Sequence, residues 1–538
     1  MSKAQSFQVS CEGGLDLVSN TLQLLQKPGT ATNLRNFEPA VDGGYRRING
    51  YVKYPTDATG TQPNGASDNI LGVFTYADGV IAAQNGNLYW STDGLTWLQI
   101  NKETGSSGQD ATDIAANGTT LGKSTTAKVS FTLYEGSNDY GEIVIYNGAN
   151  EASHFYITGT GGSRLFFYKD LTTAATGAYV NPTIGEHFQE RVFLAGSSVA
   201  ESTVFWSNRY TPDSFTGASA GEVDVGEPII SIKEFRDKLI IFCKHSIHQL
   251  SDIDGVINLQ PISRNVGCLH KDTVQEIGGD LIFLAADGLR TLAATTRIDD
   301  VELSTISHKI LPLLEDITNN IENYELSSIV LRRKNQYRLY YPNPLQTTAS
   351  GKGIIGTLKY GPEGTYWEWS ETLGIHPSCV SSEYKNADIQ ETTFFGGYDG
   401  YLYNHDSGND YNGAAIDAKF TTADVDMGDI GLTKNIHWLK VSAKPEGDLT
   451  LNVRLLYDFD SDEIHQPSAY TLSNISTPSI FGSAIFGTSV FGVPIKPLTK
   501  LNTEGSGFSC AFSFYTSTLD APYNIQSFFI DFVPTARR

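Results

Sequence analysis

Basic residues are scarce in this chain. Its 38 Lys and Arg face 60 Asp and Glu, for a net charge of −22. Binding to duplex DNA needs Lys and Arg to displace condensed counterions, so a general DNA-binding role is excluded unless the few cations cluster. The short basic runs are Arg46-Arg47, Arg332-Arg333-Lys334 and Arg537-Arg538. Runs this short are expected to be solvated surface charges. Cysteine is also sparse. The five cysteines, Cys11, Cys243, Cys268, Cys379 and Cys510, are odd in number, far apart and never spaced CxxC. That argues against a disulfide framework and against zinc, and for folding in a reducing cytoplasm. The opening MSKAQSFQVS has no apolar core, so no signal peptide is expected. No run approaches the roughly 18 apolar residues of a membrane span, so none is expected. The ten histidines form no HExxH or HxH, and His245 and His248, three apart on a strand, face opposite sides.

What the chain has in quantity is glycine, 52 residues, with aromatics at 11% and hydrophobics at 40%. That mixture suits strands joined by tight turns around a large core. Apolar runs recur from residue 70: ILGVFTY (70–76), VSFTLY (129–134), RVFLAG (191–196), KLIIFC (238–243), DLIFLAA (280–286) and TTFFGGY (392–398). Most are followed by a turn and a second strand. Asn85-Gly86, Asn147-Gly148, Asp287-Gly288 and Asp399-Gly400 supply the positive φ that two-residue hairpins require. A four-stranded propeller blade takes about 40–50 residues, and the spacing fits about six degenerate blades. Radial closure leaves only short, protected sheet edges.

The expected fold is therefore all-β. Residues 1–60 supply strands that dock on or close the propeller, which spans 61–410. A C-terminal, antiparallel, sandwich-like platform covers 411–538, where sequences such as DLTLNVRLLYDFD alternate at period two. Two segments break the rhythm of the propeller. Residues 101–128 are polar and rich in Gly, Ser and Thr, as in an inserted loop. Residues 305–323 set Ile306, Ile310, Leu313, Leu314, Ile317 and Ile321 on one helical face, with Pro312 starting or kinking the one substantial helix. In the platform, residues 479–494 repeat Phe-Gly at Phe481, Phe486 and Phe491. A five-residue step flips sheet face each time, so the three rings cannot share one sheet core. They are either a Gly-rich loop packed on its own domain or an arm that docks on a neighbouring subunit, and are candidate interface residues.

Several stretches imitate active sites. Ser91-Thr92-Asp93-Gly94-Leu95-Thr96-Trp97 is one residue short of the S-x-D-x-G-x-T-W box of sialidase-type propellers. That box is architectural: its Asp caps backbone N–H groups and its Trp packs beneath. Ser91, Asp93 and Trp97 are thus expected to hold a hairpin and not a sugar. GTTLGKST (118–125) is one residue short of a phosphate loop between its glycines, and a strand follows it where a helix is needed. DFDSDE (458–463) crowds acids, but Glu463 and Ala469 stand where a calcium loop needs Gly and Glu. No catalytic, cofactor or metal residues are assigned, and an enzyme is not expected.

Taken together, PGTATNLRNFEPAVDGGYRRINGYVKY (28–54), RVFLAGSSVAESTVFWSNRYTPDSF (191–215), IISIKEFRDKLIIFCKHSIHQL (229–250), FFGGYDGYLYNHDSGNDYNGAAIDA (394–418) and RLLYDFD (454–460) resemble the tail nozzle proteins of short-tailed bacteriophages, also called tail tubular protein B or tail stabilisation proteins. The likeness is spread over most of the chain, and the order of the segments carries it. It implies a homo-hexameric ring below a tail adaptor protein, with tail fibres or spikes attached. Double-stranded DNA crosses the bore in transit without specific binding. The location implied is the virion tail, assembled in the host bacterial cytoplasm. An acidic bore fits this role, since a basic one would retain the duplex. The competing expectations are a glycan- or receptor-binding propeller and, more distantly, a sialidase-like hydrolase.

Overall fold

The computed structural model describes the chain except residues 1–3, 56–59, 103–107, 111–119, 137, 172–180, 218, 254–255, 293–304, 346–350, 363, 385–390, 475–497 and 538. The protein is nearly all-β and contains a six-bladed propeller arrangement with two larger sheets beside it. The first blade is Ile70–Tyr76, Gly79–Gln84, Asn87–Ser91 and Leu98–Gln99. The second is Ser130–Tyr134, Glu142–Tyr146, Ser153–Thr158 and Leu165–Asp170. The third runs from Ile184–Phe188 to Gly221–Asp224, and the fourth from Ile229–Phe235 to Val256–Ser263. The fifth has three strands, Gln275–Ile277, Asp280–Ala285 and Gly288–Thr291. The sixth joins Pro377–Tyr384, Glu391–Gly397 and Leu402–His405 to an outer strand from far upstream, Tyr51–Lys53.

The first strands of successive blades stand side by side around the centre, and Pro377–Tyr384 packs against Ile70–Tyr76 to close the ring. Ser378 Oγ donates across that seam to the Ile70 carbonyl at 2.6 Å. Between the fifth and sixth blades the ring is completed by Ser327–Leu331, the first strand of a nine-stranded sheet. That sheet continues through Gln336–Tyr340, Lys352–Gly361, Gly364–Leu373, Ala31–Arg35, Ile416–Thr422, Cys510–Thr518, Leu449–Tyr457 and Tyr470–Asn474. It thus runs across the 410/411 division without a break in strand pairing. A seven-stranded sheet built on Leu432–Pro445 and Tyr523–Arg537 faces it. Phe512 and Phe514 of one sheet meet Phe528 of the other at ring separations of 4.9 and 5.5 Å, all three rings being fully buried. Burying each such ring contributes about 1.5–3 kcal/mol.

The helix lies where its periodicity places it. A 3₁₀ turn, His308–Ile310, leads into Leu311–Asn319, with Pro312 in the first turn, where a missing N–H is harmless. Ile310, Leu314 and Ile317 are buried against the core.

The basic runs meet expectation only in part: Arg332 and Arg333 are exposed, whereas Arg46, Arg47 and Lys334 are drawn into the fold, and the side chains of Arg537 and Arg538 lie outside the described residues. Arg47 is fully buried and donates to the carbonyls of Asn409 at 2.8 Å and of Asp520. Arg46 forks onto Glu446 at 2.6 and 2.7 Å and also reaches Glu38 at 2.9 Å. Lys334 bonds both Glu38 and Asp406, at 2.9 and 2.8 Å. At the centre is Arg338, with no exposed surface, which donates to Glu38 at 2.7 Å, Asp406 at 3.1 Å and Gln336 at 2.8 Å. These charges join the N-terminal strands, both large sheets and the sixth blade at one seam. A carboxylate paired with three cations can sit inside the protein because charge–charge attraction offsets the desolvation that charge burial imposes. Burial pushes the Glu38 carboxyl up, but Lys334 and Arg338 outweigh it and hold the carboxyl below its usual range.

His405 abuts this seam and accepts from the Tyr340 hydroxyl at 2.9 Å. Burial, reinforced by the charge of Arg338, pushes its imidazole down to about 3. The folded value lies below the unfolded one, so this contribution to stability is complete above about pH 6.5 and is lost as pH falls from there toward 3, at about 1.4 kcal/mol per pH unit. Melting temperature is expected to fall between pH 7 and pH 5, with a smaller fall in His405→Asn; equal falls would refute the assignment. Glu38→Gln leaves Arg338 short of a buried counter-charge and is expected to cost about 3 kcal/mol, read as a lowered denaturation midpoint.

Candidate functional site

The sequence motif and the ring each single out one place: the hairpin that imitates a sialidase box and the cavity at the centre of the propeller.

The hairpin links the third and fourth strands of the first blade. The Asp93 carboxylate accepts the N–H groups of Leu95 at 2.9 Å and Thr96 at 2.8 Å and the Ser91 hydroxyl at 3.0 Å. Ser91 Oγ in turn accepts from Gly94 N at 2.8 Å. Gly94 has φ +69°, and a Cβ there would strike the Tyr54 ring at 2.4 Å, so the turn needs glycine on both counts. Trp97 Nε1 donates to the Thr61 carbonyl at 3.2 Å, and Tyr54 Oη donates to Thr92 O at 3.1 Å. Every polar atom of Asp93 that is accounted for serves the loop. The Thr96 N–H leads the bonds that hold its carboxyl below the usual carboxylate range, against a smaller opposing effect of burial. The hairpin ties Tyr54 and Thr61, which follow the outer strand of the sixth blade, to the first blade.

The central cavity measures about 380 Å³. It is lined by the innermost strands of the ring, with cations Lys128, Lys233 and Arg332 and carboxylates Asp272, Glu276 and Glu383. The three cations are mated to carboxylates behind the lining: Lys233 to Glu186 at 2.9 Å, Lys128 to Glu325 at 3.2 Å and Arg332 to Glu391 at 3.0 Å. The Glu186 charge raises the Lys233 ammonium above its ordinary value. Burial raises the Glu383 carboxyl, against the pull of Arg332 and Lys233. The cavity is small and polar, with three cations and three carboxylates in its lining. A duplex, whose major groove alone is about 12 Å wide, cannot thread it.

Phe481, Phe486 and Phe491 lie outside the described residues. So do 103–107 and 111–119, half of the 101–128 segment, with the first glycine of the phosphate-loop imitation; Gln109, which is described, adds a bridge to Phe166 at the outer edge of the second blade. In the acidic turn, Asp458 spends its Oδ1 on the N–H groups of Phe508 at 2.6 Å and Ser509 at 3.0 Å. His248 bonds Ser246 at 3.0 Å, and among the described residues no three His, Cys, Asp or Glu side chains gather as a metal site. The five cysteines are free thiols, four of them buried. No helix among the described residues is long and apolar enough to cross a membrane.

No protein-family model and no curated protein matches the chain. Among solved structures, Raptor of Chaetomium thermophilum is similar over 72% of this chain and 30% of its own, at 10% identity and a TM-score of 0.37. KlHsv2 with loop 6CD replaced by a Gly-Ser linker is similar over 57% of this chain and 99% of its own, at 10% identity and a TM-score of 0.28. The chain spans less than a third of the length of that Raptor.

Asp93→Ala is expected to destabilise the first blade by about 1 kcal/mol, as loss of a backbone-capping side chain does elsewhere. Hydrogen exchange should quicken at Gly94–Trp97 and leave the two large sheets unchanged.

Proposed function

We propose that the chain is the tail nozzle of a short-tailed bacteriophage, a structural virion protein. Six copies stand side by side below the tail adaptor, enclose an acidic bore, and guide double-stranded DNA during ejection. Tail fibres or spikes attach to the ring, which is assembled in the bacterial cytoplasm and ends in the virion.

The observation that carries this reading is the union of propeller and sandwich through one nine-stranded sheet, locked at the Glu38–Arg338–Asp406 seam. Such a union makes each subunit a single wall block and not a string of hinged modules. The resemblance of the five sequence segments supports the same reading, and so does the net charge of −22. A duplex carries one charge about every 1.7 Å of its axis, so an acidic wall lets it slide where a basic wall would hold it. Since the propeller cavity is far too small for a duplex, the bore must lie between copies. Closed rotational symmetry is the usual way to make such a surface from one chain.

Electron microscopy of the purified protein with its adaptor, or of the virion, is expected to show sixfold rings with a net negative bore. A persistent monomer in both preparations, or a ring with a net positive bore, would overturn the proposal.

A further inference from the structure

A groove of about 500 Å³ runs between the outer strands of the second blade and the turn that follows the third strand of the third blade. Its floor is built by register. His154 pairs with Lys169 and Tyr156 with Phe167 across two neighbouring strands, so all four side chains share one face. The Tyr156 and Phe167 rings stack in parallel, 4.5 Å apart and 5° from coplanar, and both are half-buried. Beside them the Glu142 carboxylate is fixed by His154 Nε2 at 2.7 Å and by the Asn138 amide at 2.6 Å.

The other wall is the turn around Tyr210. This residue sits at φ +60°, a left-handed conformation that a bulky side chain seldom adopts, and its backbone N–H is held by the Glu190 carbonyl at 3.0 Å. Its side chain stays 67% exposed, so core packing does not account for an aromatic residue there. Lys169 donates to the Asp213 carboxylate and ties the two walls together.

We propose that this groove binds a neutral glycan, a short stretch of uncharged oligosaccharide. A pyranose presents a face of polarised C–H groups, which the negative face of an aromatic ring attracts, and an equator of hydroxyls that both donate and accept. The groove offers the matching parts: an exposed Tyr210 ring and the half-buried Tyr156 and Phe167 rings, with carboxylate, amide and imidazole groups at the rim. Its size falls in the range of about 300–1,000 Å³ typical of small-molecule sites. Charge selects against anionic sugars. Lys169 is engaged by Asp213 and His154 by Glu142, which leaves no uncommitted cation among the lining residues for a sulfate or phosphate. The inference is independent of ring assembly, because the groove lies within one chain.

The test is a glycan array of neutral and sulfated oligosaccharides probed with the purified full chain, followed by calorimetry on the strongest neutral ligand. The variants are Tyr210→Gly, which relaxes the backbone and removes the ring, and Tyr210→Phe, which keeps it. Tyr210 is exposed, and an unchanged melting temperature verifies that both variants fold. Expected are selective binding of neutral glycans, roughly tenfold weaker binding in Tyr210→Gly, and near-native affinity in Tyr210→Phe. The proposal is overturned by absence of neutral-glycan binding, by preference for sulfated ligands, or by unaltered affinity in Tyr210→Gly. Sixfold imaging reads the nozzle proposal separately, so either can fail alone.

Discussion

Arg338 has no contact with solvent, and its charge is answered by Glu38, 300 residues before it, and Asp406, 68 residues after it. An unanswered guanidinium in that position would cost several kcal/mol, so the N-terminal strands, the large sheet and the sixth blade must meet in one geometry or not at all. Hydrophobic burial supplies most of the favourable energy, but it is non-directional. The ion network supplies the orientation. It fixes how the propeller stands on the sandwich, and every surface that depends on that orientation follows from it.

The parts of the fold that local chemistry dictates were legible in the sequence. Asn85 and Gly86 adopt φ +48° and +71°, as a two-residue hairpin demands, and period-two alternation marked the strands of the sandwich. The helix followed from its apolar face. Other hairpins gave no such signal: Ala77-Asp78, Gln189-Glu190 and Arg236-Asp237 take positive φ at both positions without a glycine. There the flanking strands impose the turn. Long-range pairing was equally silent. Nothing local in Ala31–Arg35 says that it will sit between Gly364–Leu373 and Ile416–Thr422.

The candidate sites show the same division. The Ser91–Trp97 turn could be read because its own capping bonds are local, each spanning two or three residues, whereas the Trp97 indole and Tyr54 hydroxyl contacts are not. The basic runs could not. Arg46, Arg47 and Lys334 look like solvated charges in one dimension, and their partners Glu446, Asp520 and Asp406 are remote in sequence. The groove beside Tyr210 was missed for a related reason. Its walls belong to different blades, and the one available signal, a Tyr in a polar turn, is common in β proteins.

Closure of the sixth blade by Tyr51–Lys53 has a temporal side. A ribosome makes that strand early, yet its partner Leu402–His405 emerges some 350 residues later. At about 5–20 residues per second, the strand waits tens of seconds with open backbone edges. Gln5–Ser10 waits longer still, since it pairs with Ser527–Phe532. The nascent chain therefore carries one closing strand unpaired through about two thirds of its synthesis and the other through nearly all of it, so lowering translation temperature or supplying holding chaperones should govern how much of it reaches the native fold.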